Sequence, residues 1–174
     1  MNGEAMIDFR LEHLFSYAGA LANPPEIFDW SPDGIRVNFY SAGGEMTGSR
    51  IRGKLRPIGD DWMTVRKDGV ALLDVRTTLE THDGARILAT YHGLIDLGEE
   101  AHDRILRDEL PSLVQLRIAP RFFTSHPEYL WLNRLHCIGI GEYRATANEV
   151  NYDVYAMHRG RRRDVRLKHL WLPN

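Results

Sequence analysis

Asp74 and Arg76 stand two positions apart on a segment that reads as a β-strand, so their side chains share one face. A carboxylate there can take up and return a proton, and a guanidinium can hold a carboxylate, carbonyl or enolate oxygen. If the hairpins on either side have loops of two or four residues, paired positions sum to an odd number. Tyr91, Ala89 and Gly93 then join this face from the following strand, and Met63 and Val65 from the preceding one. The expected catalytic set is Asp74 for proton transfer, with Arg76 and Tyr91 as oxygen binders among small and apolar neighbours. A three-residue bulged loop would reverse the assignment.

Further candidates for binding a substrate lie elsewhere in the chain. On an extended segment Tyr129, Trp131 and Asn133 point the same way, which makes an aromatic wall carrying one amide. The rival reading is a structural plug at one end of the fold. Arg121 and Glu142 fall near strand ends and can complete a polar site. His13 alternates with apolar residues and serves either as a core histidine bonded to a neighbour or as a base near neutral pH. Met63 supplies an apolar contact.

Several chemistries lack their signatures. The eight histidines contain no H-x-H pair and no H-E-x-x-H, so no metal site is expected. There is no G-x-S-x-G elbow, and Cys137, the single cysteine, has no activating neighbour in sequence. Gly139-x-Gly141 lacks the third glycine and following helix of a dinucleotide site, and Gly43-Gly44 is not a phosphate loop. No cofactor is expected.

The elements that must position these residues centre on Trp62 to Gly93, two extended runs and part of a third joined by two Asp-Gly turns. Ile7 to Phe15 and Ile35 to Tyr40 alternate as strands, with a long connection from Ala20 to Gly34 between them, over which Ile27, Phe28 and Trp30 pack back. Glu45 to Thr47 reads as a short strand. In Arg50 to Arg56 the four cations Arg50, Arg52, Lys54 and Arg56 share one face, read as a solvated exterior. The apolar side of the middle strand (Ala71, Leu73, Val75, Leu79) is expected to pack against a helix or a partner. Asp96 to Leu110 is the one helix pattern, and Ser112 to Thr124, Arg134 to Tyr143 and Val150 to Met157 return to strand.

The expected fold is all-β: a single antiparallel up-and-down barrel of about eight to ten strands with one short peripheral helix, a β-sandwich being the alternative. Such a barrel has room for at most one small ligand. At 174 residues the chain suits one domain, residues 1–158, followed by a basic tail at 159–174. That tail carries Arg159, Arg161, Arg162, Arg163, Arg166 and Lys168 against Asp164, and reads as an extra strand or a subunit-bridging arm on an otherwise acidic body. With no leader-like or membrane-spanning apolar run, a soluble cytoplasmic protein is expected.

Several segments resemble one family in order along the chain: L-E-H-L-F (Leu11 to Phe15), G-S-R-I-R-G-K-L-R-P-I-G-D-D-W (Gly48 to Trp62), V-R-K-D-G-V-A-L-L-D-V-R-T-T-L-E-T-H-D-G-A (Val65 to Ala85), T-Y-H-G (Thr90 to Gly93), R-F-F-T-S-H-P-E-Y-L-W-L-N (Arg121 to Asn133) and G-I-G-E (Gly139 to Glu142). They are similar to the bacterial and fungal family catalogued as domain of unknown function 3237. The resemblance covers about Ile7 to Tyr155 and implies a small, self-associating β-barrel with no assigned general activity. The functional expectation is a cofactor-independent isomerase, cyclase or lyase acting on a small, largely apolar, oxygenated substrate, with a non-catalytic carrier or sensor as the alternative. The expected partners are a small organic ligand and further copies of the chain, as a homodimer or larger; neither membrane nor nucleic acid is expected.

Overall fold

The computed structural model describes residues 7–160, apart from 108 and 110 and the side chain of Trp30. Among the described residues nine strands follow one another: β1 (Phe9–Leu21), β2 (Glu26–Ser31), β3 (Gly34–Thr47), β4 (Gly53–Val65), β5 (Val70–Thr81), β6 (Arg86–Asp96), β7 (Leu113–Phe123), β8 (His136–Arg144) and β9 (Glu149–Arg159). All pairings are antiparallel, in the order β1-β9-β8-β7-β6-β5-β4-β3-β2, and β1 also pairs with β3. That last pairing closes eight strands into the expected barrel. Strand β2 is a ninth, laid along the first half of β3.

Period-two alternation decides which residues fill the barrel. On β5 the buried set is Ala71, Leu73, Val75, Thr77, Leu79 and Thr81; on β9 it is Tyr152, Val154 and Ala156. The apolar side of β5 therefore faces the lumen, where sequence reading assigned it to a helix or a partner. On β1 the register shifts between His13 and Phe15, so Leu14 and Phe15 are both buried while Ile7, Phe9 and Leu11 stay exposed. A uniform alternation from Ile7 to Phe15 does not hold across that bulge.

Other boundaries also move. The long connection contains β2, and Ile27 and Phe28 are about half exposed instead of folded back over the body. The two runs on either side of Gly43-Gly44 form one strand, β3, with a register shift between Tyr40 and Gly44. The helix shrinks to α1 (Ala101–Ile105). Tyr129 to Asn133 is not extended but part of a 3-10 helix, Pro127–Arg134, with Pro127 at its start.

These two helical pieces close opposite ends of the barrel. Leu97, Ile105 and Pro111 reach the lumen from the α1 connection, and the Leu97 N–H bonds the Gly69 carbonyl in the β4–β5 turn. At the far end Tyr129 and Leu132 are buried, and the Tyr129 hydroxyl donates to both Asp83 carboxylate oxygens at 3.0 and 3.1 Å. Strand β9 runs to Arg159, and the Gly160 N–H bonds the Asp8 carbonyl. The basic tail from residue 161 onward lies outside the described residues.

Candidate active site

Two turns decide which side chains enter the lumen. At the β4–β5 turn the Arg66 N–H bonds the Val70 carbonyl, and at the β5–β6 turn the Thr81 N–H bonds the Ala85 carbonyl. Each encloses a three-residue loop, Lys67-Asp68-Gly69 and His82-Asp83-Gly84, whose glycine takes φ of +79° and +85°. A glycine in the left-handed region at the third loop position is what such a bulged loop requires. Cross-strand positions therefore sum to even numbers: Val75 faces Tyr91, Asp74 faces His92 and Arg76 faces Thr90.

The expectation that Asp74 and Arg76 share the inner face with Tyr91 is thus corrected. Both lie on the outer surface, with Arg76 Nη1 3.3 Å from Asp74 and His92 Nδ1 3.8 Å away. Tyr91 and Met63 do point inward, opposite Val75 and Leu73 neighbours. The remaining candidates are dispersed. His13 is on the outside, its Nε2 3.0 Å from Ser16 Oγ. Arg121 is exposed on β7, and Glu142 pairs with Arg144 on β8. Trp131 lies under the Arg50 guanidinium at 3.9 Å. Asn133 clamps Thr124, accepting from its N–H and donating to its carbonyl, both at 2.9 Å. The Tyr129 segment is accordingly an end plug and not a substrate wall.

The lumen holds a different acid. A cavity of about 100 Å³ is lined by Asp61 together with Tyr17, Tyr91, Tyr152, Phe39 and Tyr143 and by aliphatic residues from most strands. That volume is of the order that accommodates a single small ring. Asp61 is placed there because it stands opposite Val75, on the same alternation as Met63 and Val65. Its Oδ1 accepts the Asp74 N–H at 3.1 Å, so Asp74 serves the site through its backbone. Burial pushes the Asp61 carboxyl up to about 7; the Asp74 N–H holds it down somewhat and the Asp74 charge adds to the rise.

Three phenols line the same cavity. The Tyr17 and Tyr91 hydroxyls are hydrogen-bonded at 3.0 Å, and the Tyr152 ring lies 5.2 Å from Tyr17 and 6.1 Å from Tyr91. Gly141 makes room for Tyr152: a Cβ there would come within 2.4 Å of that ring. All three phenols are raised, first by burial and further by their acidic surroundings, so they remain protonated donors. The cavity lining thus combines the Asp61 carboxyl, raised by burial to about 7, with phenols that stay protonated. Among the described residues no group of three His, Cys, Asp or Glu side chains is placed to hold a metal ion, and no helix is long and apolar enough to cross a membrane.

Asp61, Tyr17 and Tyr152 escaped the sequence reading, yet each left a trace. Asp61 interrupts an otherwise apolar alternation with Met63 and Val65. Tyr152 sits in step with Val150, Val154 and Ala156, and Tyr17 in step with Phe15. A polar group in phase with buried neighbours marks a lumen residue more reliably than two charges close together.

A closed antiparallel barrel with an acid and clustered phenols in its lumen defines a small-cavity barrel protein. The chain belongs to the family described as "Protein of unknown function (DUF3237)", which matches residues 9–157. A "UPF0311 protein" from Rhodopseudomonas palustris (strain TIE-1) is 32% identical over 124 residues, covering 70% of this chain and 80% of that protein. Among solved structures, a protein of unknown function from Clostridium acetobutylicum ATCC 824 superimposes with a TM-score of 0.77 at 23% identity, covering 87% of this chain and all of the other. A structure described as an enzyme from Penicillium herquei matches with a TM-score of 0.62 at 23% identity, over 91% of this chain and all of the other. These two likenesses establish the fold.

Proposed function

We propose that the barrel lumen is a proton-transfer site in which Asp61 moves a proton on a small, largely apolar, oxygenated molecule. The observation that carries this reading is Asp61 itself: a lumen carboxyl held near neutrality by burial, lining the same cavity as the Tyr17–Tyr91 hydroxyl pair. A group half ionised at working pH serves both as base and as acid. As carboxylate it takes a proton from carbon next to a carbonyl, or from a hydroxyl. The phenolic O–H groups donate to the oxygen on which charge develops.

Returning that proton to a different atom completes an isomerisation; with ring closure the same steps give a cyclase, and with departure of a group a lyase. The aliphatic and aromatic lining excludes water and strengthens each of these interactions. Acid–base chemistry of this kind needs only the side chains named. A structural neighbour described as an enzyme shares the fold, but the proposal rests on Asp61.

The test is solvent deuterium incorporation at the carbons next to the carbonyl of acetophenone and 2-cyclohexenone, followed by proton NMR, for wild type and Asp61→Asn. Exchange above the buffer rate in the wild type, lost in the variant, supports the assignment. Exchange unchanged by the substitution refutes it. Saturable binding with no exchange would make the barrel a carrier.

A further inference from the structure

The charges in and around the barrel are sorted by sign. None of the described residues lining the cavity is Lys, Arg or His, whereas Asp61 stands in the lining opposite the buried Val75. The nearby cations stand on the outer face: Arg76 with Asp74, Lys54 and Arg56 with Glu80, and Arg121 opposite Thr90. Strand alternation enforces this, since each of these residues is out of phase with its buried neighbours. A carboxylate or phosphate entering the lumen would lose its water, meet no cation and lie beside Asp61.

The lumen also holds hydroxyl donors. One of the two hydroxyl protons of the Tyr17–Tyr91 pair is used between them, which leaves the other free to donate, and the Tyr152 hydroxyl takes no part in that bond. Asp61 Oδ1 already accepts the Asp74 N–H. A carbonyl or ether oxygen entering the lumen therefore finds O–H groups to bond it.

Building on the proton-transfer reading of the same lumen, we infer that the barrel selects uncharged ring-sized ligands bearing an acceptor oxygen and rejects anions of the same shape. The selectivity comes from the absence of any cation among the described lumen residues and from the phenol hydroxyls there. It removes carboxylates from the possible substrates, since Arg76, the guanidinium that could have bound one, is outside.

Acetophenone and benzoate share one ring and differ in charge, and titrating each into the full-length protein at about pH 8, with NMR shifts as the readout, separates the cases. Acetophenone should bind at least about tenfold more tightly than benzoate, a difference of about 1.4 kcal/mol. In Asp61→Asn the discrimination against benzoate should narrow. Benzoate binding as well as acetophenone, or no binding by either, would overturn the inference. Failure of the charge order with Asp61-dependent deuterium exchange intact would sink the selectivity alone. The right order without exchange would sink the proton-transfer reading and leave the selectivity standing.

Discussion

Replacing Asp61 by Asn should make the protein more stable at neutral and higher pH while removing its proton-transfer capacity. The carboxyl has an ordinary value of 3.8 and sits at about 7 in the folded barrel. Below about pH 3.8 it is protonated in both folded and unfolded chains, and its burial carries no ionisation penalty. Between those values the unfolded chain ionises it and the folded chain does not, so stability falls as pH rises. Each pH unit is worth about 1.4 kcal/mol, and the full difference of roughly 3 units gives about 4 kcal/mol, lost by about pH 7.

Asn keeps the shape and the oxygen that accepts the Asp74 N–H, but does not titrate. The stability difference between variant and wild type should therefore widen by about 4 kcal/mol from about pH 4 to pH 8. Every other titrating group is common to both proteins and cancels. In urea unfolding this amounts to a midpoint shift of about 2 M for a domain of this size. An unchanged gap at the two pH values would refute the reasoning, because it would mean that the carboxyl is not held near neutrality by burial. A stabilising substitution that abolishes activity is the usual mark of a group retained for chemistry.

Four further outcomes are expected. Asp74→Asn and Arg76→Ala remove an exposed pair and should each change stability by less than about 0.5 kcal/mol in thermal or urea unfolding. Asp74→Asn should also lower the pH midpoint of exchange slightly, since the Asp74 charge helps to raise Asp61. Tyr91→Phe leaves the Tyr17 hydroxyl without its partner, which should cost about 1 to 2 kcal/mol and slow exchange by about 100-fold in the deuterium assay. Gly141→Ala sets a Cβ 2.2 Å from the Asn151 carbonyl oxygen and 2.4 Å from the Tyr152 ring; a loss of about 1 to 3 kcal/mol in denaturant unfolding should accompany displacement of Tyr152 from the lumen.

The architecture was legible from alternation and turn chemistry, because strands with one buried face announce their period and Asp-Gly announces a reversal. What a sequence of this kind conceals is loop length at the level of one residue. Lys67-Asp68-Gly69 and His82-Asp83-Gly84 contain the dipeptide of a two-residue hairpin, yet close as three-residue loops. One residue of difference exchanged the faces of β5, sending Asp74 and Arg76 outward and leaving Tyr91 in the lumen. The 3-10 helix at Pro127–Arg134 was hidden by similar means: Tyr129, Trp131 and Asn133 have strand spacing, but Pro127 and the Asn133 clamp on Thr124 wind the segment. Met63 and Tyr91 line the lumen, and so does Asp61, two residues from Met63 and in phase with it.

The most direct test is the titration of the Asp61 carboxyl carbon by NMR in aspartate-labelled protein, with the resonance assigned by its absence in Asp61→Asn. A midpoint near 7 that moves when acetophenone occupies the lumen is the expected result. A midpoint in the ordinary carboxylate range, near 4, indifferent to acetophenone, would contradict the assignment of this barrel as a proton-transfer site.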